Sequence, residues 1–245
     1  MAPNIVGRVQ KLFLYPVKSM RGIPVSEIVC YWYGANGDRK VAFTRENDMS
    51  GFPWLTAREL PALLQYEPYF VDEAAPLTSA IRVKTPDNRD LSLESHELSE
   101  ELARQYGAPI SLLKLKRGTF DCMPLSLITT GTLEALGQAA GRSLDVRRFR
   151  PNVFIDGLAG AAESTWVGAT LIFGRRDDAA RVQVNYPTKR CMMINLDPDS
   201  GETDGRVLKA AAATSQARAG TYAAVSRPGT IRVGDSVIIE REGTG

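Results

Sequence analysis

One histidine, His96, and three scattered cysteines, Cys30, Cys122 and Cys191, are all that 245 residues offer in the way of imidazole and thiol. A histidine-built metal site is nearly excluded by that count. A Ser-His-Asp triad would have to use His96, and no G-x-S-x-G nucleophile elbow is present. The odd number of cysteines and the lack of any Cys-x-x-Cys pair argue against a disulfide framework and a zinc site. An iron–sulfur cluster has no cysteine set either. No G-x-G-x-x-G or Walker loop occurs, so a nucleotide fold has no support. No run approaches the ~18 consecutive apolar residues of a membrane helix. The N-terminus, MAPNIVGRVQK, lacks the apolar core of a signal peptide, so a cytoplasmic protein without membrane attachment is expected. A net charge of +2 is too balanced to point to nucleic acid.

What is there is a succession of short apolar runs broken by turns. VQKLFLYPVKS reads as a strand that bends at Pro16. IPVSEIVCYWYG and RKVAFTREN read as strands on either side of the turn ANGD, and AIRVKTPDNRDLSLES as a hairpin about PDNRD. Ser95 is placed to cap a helix carrying Leu98, Leu102 and Tyr106 at four-residue spacing, ended by Gly107. A second helix is expected from about Thr132 to Gly141, and an Ala-rich third over Arg206 to Arg218. The C-terminal stretch reads as strand, turn, strand. Many short strands with two or three helices predict a mainly β (α+β) chain of barrel-like domains rather than an alternating parallel sheet. The break in pattern near 116–124 divides the chain into residues 1–117 and 118–245.

Three clusters could carry chemistry. In PTKRCMMINLDPDSGE, Lys189 and Arg190 directly precede Cys191. Adjacent cations favour the thiolate, which is a nucleophile or a soft metal ligand. The ordinary alternative is a buried cysteine on a strand Cys191–Ile194, and locally that alternative is the commoner one. The following DPDSG is an Asp/Gly turn; it resembles a calcium loop, but the twelfth position is Leu208 rather than glutamate. In DVRRFRPNVFIDG, an extended chain would put Arg148 and Arg150 on one side and Arg147 on the other, with Asn152 beside them. Arginine forks suit phosphate and the Asn152 amide suits a heterocycle edge, although a solvated charge run is the usual explanation. In YPVKSM, Lys18 and Ser19 follow a proline at a strand end, where they could meet an anion or simply form a turn. Arg39 and the hydroxyl-rich Thr129-Thr130-Gly131-Thr132, at a strand-to-helix junction, are weaker signals of the same kind. Together these residues suit a large anionic cofactor that brings its own metal or electrophile.

YPVKSM, LSLITTGTLEAL, RFRPNVFIDG, ESTWVGATLIFG, PTKRCMMINLDPDSGE and RPGTIRVGDSVII occur in that order along nearly the whole chain. As a set they resemble the MOSC family, named for the C-terminal domain of the molybdenum-cofactor sulfurase. More narrowly, they are similar to the bacterial relatives of the mitochondrial amidoxime-reducing component. The resemblance implies an N-terminal MOSC β-barrel domain, a MOSC domain, and a molybdenum–molybdopterin cofactor. It implies that Cys191 is the molybdenum ligand and the catalytic position. Lys18, Ser19, Arg39, Arg148, Arg150, Asn152, Lys189 and Arg190 are then candidates for holding the cofactor, with Thr129 and Thr130 bordering the pterin phosphate. The implied chemistry is two-electron reduction of small N-hydroxylated or N-oxide compounds. Electrons would come from a separate ferredoxin, flavoprotein or haem protein. Lys189 stands where some relatives have a small or polar residue, which changes how the cofactor or the substrate channel is charged. Rival readings are a non-enzymatic carrier of the cofactor and a sulfur-transfer protein with a persulfide on Cys191. A pyridoxal phosphate binder with Lys18 or Lys189 as Schiff-base lysine is a weaker rival.

Overall fold

The computed structural model describes residues 3–115, 118–157 and 163–241. Its elements run in two blocks. The first holds β1 (Ile5–Leu14), β2 (Ile23–Val25), β3 (Glu27–Tyr31), β4 (Gly34–Ala35), β5 (Val41–Arg45), β6 (Glu67–Phe70), β7 (Ile81–Lys84), β8 (Asp90–Ser92), α1 (His96–Tyr106) and β9 (Ile110–Lys114). The second holds β10 (Leu125–Thr129), α2 (Thr130–Ala140), β11 (Val153–Gly157), β12 (Thr170–Phe173), β13 (Arg181–Lys189), α3 (Arg206–Ser215), β14 (Arg218–Arg227), β15 (Gly229–Arg232) and β16 (Ser236–Glu240). The mainly β architecture with few helices expected from the turn-broken pattern is what is found.

Seven strands close into a barrel in the order β11-β10-β14-β13-β12-β16-β1, with β1 also paired to β11. Closure leaves no free edge among them. β1 comes from the first block yet lies between β11 and β16 of the second. In return β15 pairs with β3, completing a small sheet with β4. The two blocks therefore exchange a strand each across residue 117. The expected break at 116–124 begins in residues 116 and 117, which lie outside the described residues.

Alternation along the strands sorts side chains into two cores. Leu125 and Leu127 of β10 join the main core, with Leu12 and Leu14 of β1 and Trp166, Leu171 and Phe173. Ile128 of β10 and Phe13 of β1 face the other way, into a second core beneath α2 and α3 that includes Phe149, Phe154, Leu136, Val207 and Ala211. β1 thus has a buried run at Leu12, Phe13 and Leu14 because both its faces are covered there. Each such side chain contributes roughly 1.5–3 kcal/mol by leaving water. β10 and β11 are parallel, and α2 lies in the crossover that a parallel pair requires.

The helix signals behave as their chemistry demands. The Ser95 side chain accepts from the Leu98 amide at 3.3 Å, and Gly107 closes α1 in the left-handed region. The hairpin about PDNRD is formed by β7 and β8. Other expectations are corrected. The runs flanking ANGD do not pair with each other: β5 pairs with β9, and β3 pairs with β15 and β4. The C-terminal stretch forms three strands rather than two, because Arg227 to Gly229 lets β15 leave the barrel for the first block. Cys191–Ile194 is no strand; β13 stops at Lys189 and a 3-10 turn spans Met192–Asn195. Arg148 and Arg150 do not share one face of an extended chain, because Val146–Phe149 is another 3-10 turn and Arg150 is left-handed.

Candidate functional site

Ser126 of β10 and Tyr222 of β14 are register partners. Both line a cavity that Phe149 and Ile194 of the second core also line, together with loops from both blocks. It encloses about 840 Å³ of open space, part of it continuous with solvent. Lys18 and Ser19 reach it from the turn after β1, Arg39 from the turn before β5, and Arg148, Arg150 and Asn152 from the approach to β11. Thr188, Lys189, Arg190 and Cys191 reach it from the end of β13. Residues up to 204 positions apart in sequence, Lys18 and Tyr222, are gathered here by the strand exchange, since β1 leads Lys18 against the second block.

Backbone strain concentrates at this place. Ser19, Arg39 and Arg150 all have left-handed φ, of 68°, 47° and 51°, without being glycine. Each such residue costs about 1–3 kcal/mol and persists only where its surroundings enforce it. Arg39 is enforced by its amide, which donates to the Tyr15 carbonyl at 2.6 Å, and by an ion pair with the buried Asp38. Asp38 in turn accepts from the Tyr15 amide at 2.7 Å. The Arg39 and Arg150 guanidiniums both lie against the Tyr15 ring, 4.4 and 4.3 Å from its centroid. Tyr15, whose hydroxyl donates to the Pro151 carbonyl at 3.1 Å, is pushed up to about 12 by burial. Sequence reading missed Tyr15 and Asp38; a tyrosine before Pro16 and an aspartate before Arg39 carry no local signal.

Charge balance is one-sided. Among the described residues, seven cationic side chains line the cavity against one carboxylate, Asp121, which Lys18 already engages. Burial drives the Arg150 guanidinium down to about 10, and burial does the same to Arg190. Lys18 is also lowered by burial, an effect its Asp121 partner only partly offsets. Arg39 goes up: burial, the largest single effect, would lower it, but Asp38, Tyr15 and Asp121 together outweigh it. Among the described residues, four buried polar atoms with no hydrogen-bond partner belong to the lining: Ser126 Oγ, Arg150 Nη2, Thr188 Oγ1 and Arg190 Nη2. Buried donors left unpaired are rare, and so many around one cavity mark the place of a missing acceptor. Arg190 is nonetheless fixed: Nε donates to the Ala219 carbonyl at 2.6 Å and Nη1 to the Phe149 carbonyl at 2.8 Å. Gly220 permits this, since a Cβ there would fall 2.7 Å from Arg190 Nη2.

Cys191 is exposed at the cavity, unlike Cys30, which is core as expected and whose thiol burial raises to about 12. Among the described residues no group of three or more His, Cys, Asp or Glu could hold a metal. A metal beside Cys191 would therefore need most of its ligands from a cofactor, and the anion-seeking lining fits such a group.

Not every expected residue points into the cavity with free donors. The Arg148 guanidinium donates to the Asn195 carbonyl at 3.0 Å and to Asp197 at 2.7 Å, fastening the turn that follows Cys191. The Asn152 amide is spent on backbone, accepting from the Ser126 amide and donating to the Phe13 carbonyl, each at 3.2 Å. Lys18 Nζ donates to the Thr119 carbonyl at 2.7 Å as well as to Asp121. Thr129 and Thr130 do not line the cavity at all. Thr129 shares the face of Leu125 and Leu127, and its hydroxyl donates to the buried Glu163 at 2.5 Å. Thr130 donates to Asp156 at 3.1 Å. Glu163 also accepts from the Gly220 amide at 2.6 Å, bracing the strand on which Arg190 rests. His96 begins α1 far from this chemistry in character, with its side chain 87% exposed.

Comparison with known proteins agrees with this architecture. The model of the MOSC domain matches residues 114–238, and that of the MOSC N-terminal beta barrel domain matches residues 6–121. The chain is 25% identical to "Mitochondrial amidoxime-reducing component 1" of Mus musculus, over 96% of this chain and 82% of that protein. It is 26% identical to "Mitochondrial amidoxime reducing component 2" of Macaca fascicularis, over 95% and 83%. The solved YUAD protein from Bacillus subtilis shares the fold at a TM-score of 0.53, with 11% identity and 97% of each chain covered. No helix among the described residues is long and apolar enough to cross a membrane. The chain belongs to the MOSC domain family, with a MOSC N-terminal beta barrel domain ahead of its MOSC domain.

Proposed function

We propose that this protein holds a molybdenum–molybdopterin cofactor in the cavity beside Cys191 and reduces small N-hydroxylated or N-oxide compounds. The observation that supports this most is the exposed Cys191 thiol at a cavity whose lining carries unpaired buried donors and a large cation excess. Arg150 and Arg190 would offer their free Nη2 atoms to the anionic cofactor, and Ser126 and Thr188 their hydroxyls. Charge-assisted bonds of this kind are the strong ones, and they would repay the burial of both guanidiniums. Arg39 would act with Arg150, both forks being held against the one Tyr15 ring. The Cys191 thiolate would be the protein's ligand to the metal. When bound, the cofactor supplies the electron pair and a site that accepts the substrate oxygen. The overall change consumes two electrons and two protons, giving the reduced amine or amidine and water. A separate electron-transfer protein, of the ferredoxin, flavoprotein or haem type, would deliver the electrons.

Elemental molybdenum and the fluorescent oxidation product of the pterin, measured on protein from a molybdate-supplied host, test the cofactor. Near-stoichiometric amounts of both, reduced in Arg150→Met, and loss of benzamidoxime reduction in a folded Cys191→Ser are expected. Full reductase activity in Cys191→Ser would remove the ligand assignment. No cofactor, with a persulfide forming on Cys191, would favour sulfur transfer.

A further inference from the structure

The unpaired donors belong to residues deep in the cavity, but two further cations stand at its exposed margin. Lys189, two residues before Cys191, is exposed, and its ammonium enters no hydrogen bond or ion pair among the described residues. Arg58 is exposed too; its Nε reaches the Thr56 hydroxyl at 3.4 Å and its guanidinium lies 5.2 Å from the Phe52 ring, with no carboxylate within ion-pair distance among the described residues. Asp121, the one acid lining the cavity among the described residues, is engaged by Lys18, and Arg58 acts on it only at longer range. The two unpaired cations at the cavity margin therefore keep their field for whatever enters. A cleft lined by one sign of charge concentrates ligands of the other sign.

We propose that Lys189 and Arg58 form an outer anion subsite, so that the compounds reaching Cys191 are those bearing a carboxylate or other anionic group besides the reacting one. This rests on the cofactor reading for its reaction but not for its electrostatics, because both cations belong to the protein itself. The field at Cys191 is then measurable without any cofactor.

The test compares alkylation of Cys191 by iodoacetate and by iodoacetamide on the full chain, with peptide mass spectrometry separating Cys191 from Cys122. The ratio of the two rates cancels the thiolate fraction and reports the field felt by an incoming anion. Cys122, exposed beside Asp121, is the internal reference. The expected ratio at Cys191 is several-fold above that at Cys122. It falls several-fold in Lys189→Gln, further in Lys189→Glu, and with added salt. An equal ratio at the two cysteines, or no change in Lys189→Gln, would overturn the subsite. On molybdenum-loaded protein, 4-carboxybenzamidoxime should exceed benzamidoxime in kcat/KM several-fold, and Lys189→Glu should reverse the order. Equal turnover of the two would overturn the subsite while leaving the reductase reading intact. Turnover of neither by loaded protein would end the reductase reading, and the alkylation ratio would still decide the subsite. Loss of molybdenum from Lys189→Gln would also overturn the proposal, by assigning Lys189 to the cofactor.

Discussion

Replacing Arg150 by methionine should separate what this residue does to stability from what it does to binding. In the ligand-free protein its guanidinium is surrounded by protein, faces no carboxylate of its own, and has a buried Nη2 without a partner. Burial lowers it from the ordinary guanidinium value to about 10. At ~1.4 kcal/mol per pKa unit this corresponds to roughly 3 kcal/mol of unfavourable free energy at neutral pH. Solvent reaching it through the cavity reduces that to about 2 kcal/mol. The sign follows from linkage: a base with a lowered folded pKa destabilises the fold at every pH below that value, and the penalty fades only as the pH rises above about 10 toward the ordinary guanidinium value. Methionine removes the charge and fills part of the volume, but forfeits the contact with the Tyr15 ring, worth about 1 kcal/mol. The ligand-free variant should therefore be about 1 kcal/mol more stable, a rise in Tm of roughly 2–4 °C for a chain of this size. Anion binding should move the other way. Losing a charge-assisted fork of about 1.5–3 kcal/mol weakens binding by roughly tenfold to a hundredfold. Differential scanning calorimetry with and without inorganic pyrophosphate reads both quantities. A ligand-free variant destabilised by more than about 1 kcal/mol, with the pyrophosphate-induced rise intact, would refute the reasoning, because Arg150 would then be a structural cation.

Asn152→Ala should lower stability by about 2–4 kcal/mol, since the Ser126 amide and the Phe13 carbonyl both lose a buried partner; a urea midpoint giving less than about 1 kcal/mol would show that neither bond matters. Gly220→Ala forces a left-handed alanine whose Cβ sits 2.6 Å from the Leu127 carbonyl and 2.7 Å from Arg190 Nη2. It should cost about 1–3 kcal/mol and weaken pyrophosphate binding as well, and unchanged binding by isothermal calorimetry would detach Arg190 from the site.

Much of this protein was legible in its sequence because the relevant physics is local. The cap at Ser95, the stop at Gly107, the hairpin at PDNRD and the apolar run of β10 follow from neighbours a few residues apart. The lone histidine and unpaired cysteines excluded whole classes of chemistry, and the cations before Cys191 marked the one thiol worth pursuing. Other features depend on partners distant in the chain. Nothing near Ile5–Leu14 announces that this strand completes a barrel built from residues beyond 124, and only that closure carries Lys18 to Arg150 and Cys191. Read as an extended chain, the RRFR cluster puts Arg148 and Arg150 together on one side and Arg147 on the other. Tertiary structure sends Arg147 to Asp199 and Arg148 to Asp197, and leaves Arg150 against Tyr15 with a free donor. Thr129 looks like an anion site at a helix start until strand alternation turns it toward Glu163, a buried carboxylate 34 residues away in sequence. Local sequence sets which residues can bind an anion; the long-range pairing of strands decides which of them are left without a partner and so able to bind one.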